Sequence, residues 1–186
     1  MKWGVIGCGN IAQKFVSDLQ YVENSTLYAV ASKNKERAKS FAKKHNAEKC
    51  YNNYDQLVNN EKVDIVYIAT THNFHYKNTL LCLNSHKPVL CEKPICVNTT
   101  EAQHLINLSK EKNIFLMEAM WTRFLPAIKN LINKINNGII GKPKLIQADF
   151  GIKKPPIKGT RFYENKLAAG SLLDLGVYTI NFCNFI

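Results

Sequence analysis

The chain has 186 residues, 46% of them hydrophobic, and a formal net charge of +11 at pH 7. This length and composition allow one large domain, or one domain and part of another, with a substantial core, and they exclude a disordered chain. The longest apolar runs are too short to cross a bilayer, and the sequence begins with a strand pattern rather than a signal peptide, so we expect a cytoplasmic protein with no membrane partner.

The positive charge is compatible with a polyanionic partner. The lysines are dispersed, however, and no stretch alternates basic with aromatic residues as a nucleic-acid platform does. We therefore predict no nucleic-acid partner and interpret the charge as a solvated surface that would also attract a phosphorylated cofactor. The six cysteines form no Cys-x-x-Cys pair and mostly lie in apolar runs, which favours buried reduced thiols over disulfides or zinc ligands.

The first predicted unit is a short strand, a glycine-rich turn and a helix. An apolar run over residues 2–6 precedes a Gly-x-Gly-x-x-Ala sequence, which is typical of a dinucleotide-binding βαβ unit. The first glycine permits the turn, the second lets a pyrophosphate approach the backbone, and the alanine lets the helix pack closely. Free N–H groups at the helix start favour a diphosphate. The predicted cofactor-binding residues here are Gly7, Gly9, Asn10, Ile11 and Ala12, and the alternative is an ordinary glycine-rich turn.

The second strand, predicted over residues 27–31, precedes the residues that choose between NAD and NADP. An acidic residue there would accept a hydrogen bond from the ribose 2′-hydroxyl of NAD. The sequence instead has Ser32 and Lys33, with Arg37 one turn into a helix predicted over residues 35–45. A hydroxyl and two cations suit a 2′-phosphate, which favours NADP over NAD. The alternative is that both cations are merely solvated.

A buried strand over residues 63–69 leads into a loop at its carboxyl end, where open α/β sheets bind ligands. We assign Thr70, His72 and His75 in this loop to the cofactor site. The two histidines alone do not indicate a metal, because no acid or thiolate stands near them at ligand spacing, so we predict no metal site.

The next strand, predicted over residues 88–91, ends at Glu92-Lys93-Pro94. This position brings Lys93 to the same sheet edge as the glycine turn. The proline fixes the local backbone and can adopt a cis peptide bond. A lysine held beside a nicotinamide can donate a hydrogen bond to a substrate oxygen. The alternative is a surface ion pair between Glu92 and Lys93, which has little energetic value.

A capping box at residues 100–103 predicts a helix to about residue 112, and a strand follows over residues 114–118. Strands and helices thus alternate through the first part of the chain. This order predicts the α/β fold class, a doubly wound Rossmann sheet of parallel strands. We assign residues 1–119 to a dinucleotide-binding domain.

Residues 120–186 show a different order of elements, which we assign to the first part of an incomplete α+β substrate and dimerisation domain. A helix is predicted over residues 126–136, closed by two glycines and with an apolar inner face made of Ile128, Leu131, Ile132 and Ile135. A strand over 144–152, a polar loop over 153–169 and a helix over 172–185 follow. On that last helix, Asp174 and Tyr178 are four residues apart and share a face.

Five segments together resemble the Gfo/Idh/MocA oxidoreductase family across the whole chain. They are the glycine turn at 7–12, Ile-Ala-Thr-Thr-His-Asn-Phe-His at 68–75, Glu-Lys-Pro at 92–94, Met-Glu-Ala-Met-Trp-Thr-Arg-Phe at 117–124 and Gly-Ser-Leu-Leu-Asp-Leu-Gly-Val-Tyr at 170–178. The fourth segment and the tyrosine of the fifth are similar to the branch of diol and NADP-dependent sugar dehydrogenases.

The resemblance implies a nicotinamide-dependent dehydrogenase that acts on a CH–OH group of a sugar or cyclic diol. It implies that Lys93 lies beside substrate and nicotinamide, that Tyr178 is the general acid and base, and that Asp174 orients the pair; Glu92 belongs to the same motif at the cofactor. Alcohol oxidation removes a proton while hydride leaves, and a phenol close to a lysine cation can accept that proton.

The chain departs from the family in length, since members continue through the rest of an open mixed sheet. We expect the 144–152 strand to have unpaired edges and the last helix to lack a covering sheet. A homo-oligomer or a swapped arrangement would cover these faces. The alternative function is a truncated NADP-binding module or sensor that does not turn over.

Overall fold

The computed structural model describes residues 1–153, 155, 157, 159–160 and 162–186. They form two compact units, Met1–Glu118 and Ala119–Ile186. No helix in the described ranges is both long enough and apolar enough to cross a membrane.

A six-stranded sheet is the centre of the first unit, with the strand order β3-β2-β1-β4-β5-β6. Strand β1 pairs in parallel with β2 and with β4, and the pairs β2–β3 and β4–β5 are also parallel. This order confirms the predicted doubly wound Rossmann sheet. The strands are β1 (Lys2–Ile6), β2 (Thr26–Ala31), β3 (Lys49–Tyr51), β4 (Ile65–Ile68), β5 (Val89–Glu92) and β6 (Leu116–Ala119).

Helices connect these strands. They are α1 (Asn10–Leu19), α2 (Lys35–His45), α3 (Tyr54–Val58), α4 (His75–Asn84) and α5 (Thr99–Glu111). Helix α1 shows how they pack, because its spacing of apolar residues buries Ala12, Val16 and Leu19 against the sheet. Phe15 on the same helix stacks on Tyr67 of β4 with ring centroids 3.9 Å apart.

The start of α5 corrects the sequence prediction of a capping box that begins at Thr100. The Asn98 side chain accepts a hydrogen bond from the Glu101 backbone N–H at 2.9 Å, so Asn98 is the N-cap and Thr100 lies inside the first turn. An asparagine three residues before an acidic residue caps a helix start just as the threonine would, and it begins the helix two residues earlier.

The second unit is built from helical segments. These are a 3₁₀ turn at Trp121–Phe124, helix α6 (Pro126–Asn136), a 3₁₀ turn at Asn165–Leu167, a π-helical turn at Leu172–Gly176 and helix α7 (Val177–Phe185). The last helix predicted from the sequence thus begins as a π turn rather than as α-helix. Part of the predicted polar loop, residues 154, 156, 158 and 161, lies outside the described residues.

Two further predictions for the second unit are wrong. Residues 144–152 do not form a strand, because a strand requires a hydrogen-bonded neighbour and the described residues of this unit supply none. The apolar face of α6 is not an inner face: Ile128, Ile132 and Ile135 are only half-buried, and Leu131 is 38% exposed. Without a sheet, that face has little to pack against.

Candidate active site

The first unit gathers most of the predicted site residues at one edge of its sheet. Parallel strands end at the same edge, so the segments that follow β1, β2, β4 and β5 are neighbours. Backbone hydrogen bonds hold them in place: the Gly7 N–H donates to the Ala31 carbonyl at 2.9 Å, and the Ala69 N–H donates to the Ile6 carbonyl at 2.8 Å.

The two glycines of the turn after β1 have different structural roles. Gly7 has a φ of +95°, and a Cβ there would lie 2.6 Å from the Ala69 carbonyl oxygen. A side chain at Gly7 would therefore strain the backbone and collide with it. Nothing lies within 4 Å of a Cβ built at Gly9, so that glycine leaves open space in front of the backbone.

The open space at Gly9 faces the start of α1, where Gly9 is the N-cap and makes no side-chain cap. Asn10 and Ile11 are exposed in the first turn, while Ala12 is fully buried against the sheet. Free backbone N–H groups at a helix start, next to an uncovered glycine, suit a diphosphate.

A hydroxyl and two cations follow β2. Ser32 is 6% exposed, and its hydroxyl oxygen accepts a hydrogen bond from the Asn34 N–H at 3.3 Å. Asn34 in turn caps α2, accepting from the Arg37 N–H at 2.9 Å. The Lys33 ammonium lies 4.9 Å from the centroid of the Phe74 ring, which belongs to the loop after β4.

The Arg37 charge acts on the pKa of two ionisable side chains, Cys8 in the glycine turn and Tyr54. Burial raises the pKa of the Cys8 thiol to about 11, and the Arg37 guanidinium opposes that rise. Burial also raises the pKa of the Tyr54 phenol, opposed by a hydrogen bond with the Lys33 backbone and by the Arg37 charge. Tyr54 thus lies close to Cys8, Lys33 and Arg37, although no sequence motif marks it.

The loop after β4 forms a 3₁₀ turn at His72–Phe74, and its two histidines, His72 and His75, are buried. The Asn78 side-chain amide donates to the Thr70 hydroxyl at 3.1 Å. His72 is buried, and its ring lies 5.6 Å from that of His75. His75 is 0% exposed, and both of its ring nitrogens contact backbone carbonyl oxygens, those of Pro94 at 2.7 Å and Thr70 at 3.0 Å.

The Glu-Lys-Pro segment at the end of β5 is held by hydrogen bonds to two other strands, β4 and β6. Glu92 is 9% exposed, and its Oε1 accepts a hydrogen bond from the Tyr67 phenol at 2.5 Å, so its carboxylate is not a surface group. The Lys93–Pro94 peptide bond is cis. The Ile95 N–H donates to Glu118 Oε1 at 2.8 Å. Lys93 therefore sits in a turn whose backbone is fixed by neighbouring strands.

The second unit has an aromatic cluster around Tyr178. The Trp121 indole N–H donates to the Tyr178 hydroxyl oxygen at 3.0 Å, and the rings of Trp121 and Phe150 meet the Tyr178 ring edge-on at centroid distances of 6.1 and 5.5 Å. These side chains line a cavity of about 350 Å³, together with Arg123, whose Nε donates to the Asn181 side chain at 2.9 Å. Sequence reasoning found Tyr178 but not the aromatic partners or Arg123.

Asp174 lies in the π-helical turn that precedes Tyr178. Lys93 belongs to the first unit and Asp174 and Tyr178 to the second, so their meeting in one site stays a prediction. Among the described residues, no group of three or more histidine, cysteine, aspartate or glutamate side chains could hold a metal ion.

Comparison with protein families gives two matches. Residues 1–120 match the family described as the oxidoreductase family with an NAD-binding Rossmann fold, Gfo/Idh/MocA, and residues 128–186 match a Gfo/Idh/MocA C-terminal domain. Similar relatives include trans-1,2-dihydrobenzene-1,2-diol dehydrogenases of Xenopus tropicalis, 36% identical, and of Mus musculus, 38% identical. Each alignment covers 100% of this chain and 56% of the relative, so the chain spans just over half the length of these proteins.

Solved structures show the same fold. A 3-ketoreductase from Actinomadura kijaniata, KijD10, in complex with NADP and TDP-benzene, is 30% identical with a TM-score of 0.89, over 97% of this chain and 55% of that one. A probable dehydrogenase from Thermotoga maritima is 26% identical with a TM-score of 0.85, over 100% of this chain and 55% of that one.

Proposed function

Because this chain belongs to the Gfo/Idh/MocA oxidoreductase family, we propose that it is an NADP-dependent oxidoreductase, or the cofactor-binding part of one. The reaction is hydride transfer between the nicotinamide and a CH–OH group of a sugar or cyclic diol. The observation that carries the proposal is the sheet edge that brings together an open glycine, a helix start, two cations and the Glu-Lys-Pro turn.

The residues at this edge fit a dinucleotide. The space in front of Gly9 and the free N–H groups of the first turn of α1 would receive the diphosphate. Ser32, Lys33 and Arg37 would receive the 2′-phosphate that distinguishes NADP from NAD. The NADP-bound structure of KijD10, which covers nearly the whole chain, supports the same choice. The cofactor, when bound, supplies the hydride acceptor or donor.

Side chains of the protein would bind the substrate oxygen and transfer its proton. Lys93, held in a fixed turn, would donate to the substrate oxygen, and Tyr178 would act as general acid and base with Asp174 orienting it. The Trp121 indole N–H already donates to the Tyr178 oxygen at 3.0 Å, so it would also stabilise the phenolate formed when Tyr178 loses its proton.

The aromatic cavity around Tyr178 supports a cyclic substrate. Edge-on rings of Trp121 and Phe150 offer apolar walls, while the phenol and Arg123 offer polar contacts. The curated relatives are named for a cyclic diol, trans-1,2-dihydrobenzene-1,2-diol, which has this mixture of an apolar ring and adjacent hydroxyls. We propose this class of substrate, with pyranose sugars as the second class to test.

We also propose a cytoplasmic location and a homo-oligomer. All six cysteines are free, and four are buried, which is typical of a reducing compartment. In the second unit Ile139, Ile140 and Leu145 are 67%, 68% and 86% exposed. Such apolar exposure favours association with another copy, and light scattering of the purified chain would test it by giving a mass above that of a monomer.

The proposed function is tested by two measurements on the purified chain. NADPH and NADH are titrated by nicotinamide fluorescence, with tighter binding of NADPH expected. NADP reduction is then followed by the absorbance of the NADPH formed, with trans-1,2-dihydrobenzene-1,2-diol and with D-xylose as substrates. Binding without turnover would identify an NADP-binding module, and no binding of either nucleotide would overturn the proposal.

A further inference from the structure

His75 connects two loops of the first unit from inside the fold. It is the first residue of α4 and is 0% exposed. Its Nδ1 lies 2.7 Å from the Pro94 carbonyl oxygen, and its Nε2 lies 3.0 Å from the Thr70 carbonyl oxygen. Thr70 follows β4 and Pro94 follows β5, so the imidazole spans the carboxyl ends of two adjacent strands.

A buried ring whose two nitrogens both face backbone carbonyls has no polar atom left for a cofactor. We propose that His75 is a positioning residue, which fixes the Thr70 loop against the Lys93–Pro94 turn and so sets the shape of the nicotinamide end of the cofactor site. This inference rests on the proposed NADP function for its consequence in binding, while its structural part concerns the free protein.

Other contacts hold each loop to its own surroundings. Asn78 of α4 donates to the Thr70 hydroxyl, and Glu118 of β6 accepts from the Ile95 N–H just after Pro94. His75 differs from them because it joins one loop to the other. Removing its ring would leave the sheet intact, but the distance between Thr70 and Lys93 would no longer be fixed.

The protonation of His75 decides which variants keep the link. Burial lowers the pKa of His75, and the nearby Lys93 charge lowers it further, against the two carbonyl contacts. His72 also faces the ring, 5.6 Å away between centroids. A neutral imidazole has one N–H. The shorter contact assigns that hydrogen to Nδ1, which donates to the Pro94 carbonyl. Nε2 then carries no hydrogen and lies beside the Thr70 carbonyl without bonding it, so the bond that links the two loops is the one from His75, itself at the end of the loop after β4, to Pro94.

Three substitutions follow from this geometry. In His75→Asn the amide nitrogen takes the place of Nδ1 and can keep the bond to Pro94. In His75→Gln the amide reaches toward the position of Nε2 and faces the Thr70 carbonyl, so the Pro94 bond is lost. His75→Phe keeps the ring volume and removes both contacts. His86→Asn, at an exposed histidine in the turn after α4 whose φ of +55° an asparagine also adopts, is the matched control.

Hydrogen–deuterium exchange of the cofactor-free chain tests the structural part. In His75→Phe we expect faster exchange in peptides that cover residues 70–75 and 93–97, and unchanged exchange in the peptide that covers residues 32–37. His75→Asn and His86→Asn should match wild type. If His75→Phe fails to fold, His75→Gln gives the same test on the 93–97 peptide. Unchanged exchange in that peptide would overturn the inference.

Nucleotide binding tests the consequence. Lys93 and Thr70 lie on the β4–β5 side of β1, whereas Ser32, Lys33 and Arg37 lie on its β2 side. His75→Phe should therefore weaken NADPH about fivefold or more, the effect of one lost hydrogen bond, and change the affinity for 2′,5′-ADP by less than about twofold. An equal loss for both ligands would indicate general damage and would overturn the positioning role.

The two proposals fail in different ways. Wild-type chain that binds neither NADPH nor NADH, but whose 93–97 peptide exchanges faster in His75→Phe, would overturn the function and support the loop connection. If His75→Phe binds NADPH as tightly as the wild-type chain does, the positioning role is overturned and the proposed function is unaffected.

Discussion

The Tyr67 phenol donates a hydrogen bond to Glu92 Oε1 over 2.5 Å, joining β4 to β5 inside the first unit. Tyr67 is almost fully buried, and Phe15 of α1 stacks on its ring. The second carboxylate oxygen, Oε2, accepts from the Lys93 N–H at 3.3 Å. The acidic residue of the Glu-Lys-Pro segment thus anchors the backbone that carries Lys93, and a tyrosine anchors the acidic residue.

Replacing Tyr67 with phenylalanine removes this anchor but keeps the ring and its stacking. We expect the free energy of unfolding to fall by about 1–3 kcal/mol, because the buried Glu92 side chain loses a hydrogen bond. Urea denaturation measures the change. Tyr51→Phe, which removes the phenol that accepts from the Asn60 amide nearer the surface, is the control and should cost less. Equal stability of Tyr67→Phe and wild type would contradict the anchoring role.

The two glycines of the first turn should respond differently to alanine. Gly9→Ala adds a methyl group in open space, so we expect normal stability and NADPH binding weakened at least about tenfold, because the methyl occupies the diphosphate approach. Gly7→Ala should instead lower the melting temperature, since its φ is +95° and the methyl meets the Ala69 carbonyl. Thermal melts and NADPH titration of both variants separate the two effects. Full NADPH affinity in Gly9→Ala would argue against a diphosphate at this turn.

Arg37 should discriminate between the two nicotinamide cofactors. We expect Arg37→Gln to weaken NADPH about 10- to 100-fold, the worth of one charge-assisted contact to phosphate, and to leave NADH nearly unchanged. Lys39→Gln is the matched control, because that lysine is exposed on the same helix and pairs with Glu36 instead. Parallel titrations with both nucleotides measure the ratio. A similar loss for NADH and NADPH would mean that Arg37 does not contact the 2′-phosphate.

His75 should make stability depend on pH. Its pKa in the folded chain lies below the ordinary value of 6.5. As pH falls below 6.5, the unfolded chain binds a proton that the folded chain does not, so stability decreases until the pH passes the folded pKa. The decrease is at most about 1.4 kcal/mol per pH unit for one group. Urea denaturation from pH 7.5 to about 5 should show a shallower loss in His75→Asn than in wild type. Parallel curves would contradict the lowered pKa.

The cysteines should differ in reactivity. Burial raises the pKa of Cys8 to about 11 and that of Cys96 to about 12, so both are thiols rather than thiolates at neutral pH. Cys50 is exposed on β3. Limited treatment of the native chain with iodoacetamide at pH 7.5, followed by mass spectrometry, should label Cys50 before either buried thiol. Early labelling of Cys8 would show that the glycine turn opens more than its packing indicates.

Local signals gave the bounds of α2 and α6 correctly. Helix α2 begins after Asn34, which caps it, and ends before Asn46, which has a φ of +55°. Helix α6 begins at Pro126, a residue that suits the first helical turn, and Gly138 at a φ of +77° follows its end. Both predicted ranges agree with the structure because caps and stops act over a few residues. The strand predicted over 144–152 failed because a strand depends on a distant partner, which local pattern does not supply.

The sequence by itself determined the alternation of strands and helices, and hence which loops follow parallel strands at one edge. That was enough to bring Gly9, Ser32, Thr70 and Lys93 to the same end of the sheet. Only the tertiary structure decided which polar side chains at that edge face solvent and which, like His75, are buried and hydrogen-bond neighbouring loops. It also joined Trp121 to Tyr178, 57 residues apart. Periodicity and motif spacing describe neighbours along the chain, whereas burial and long-range hydrogen bonds arise only when separate segments pack together.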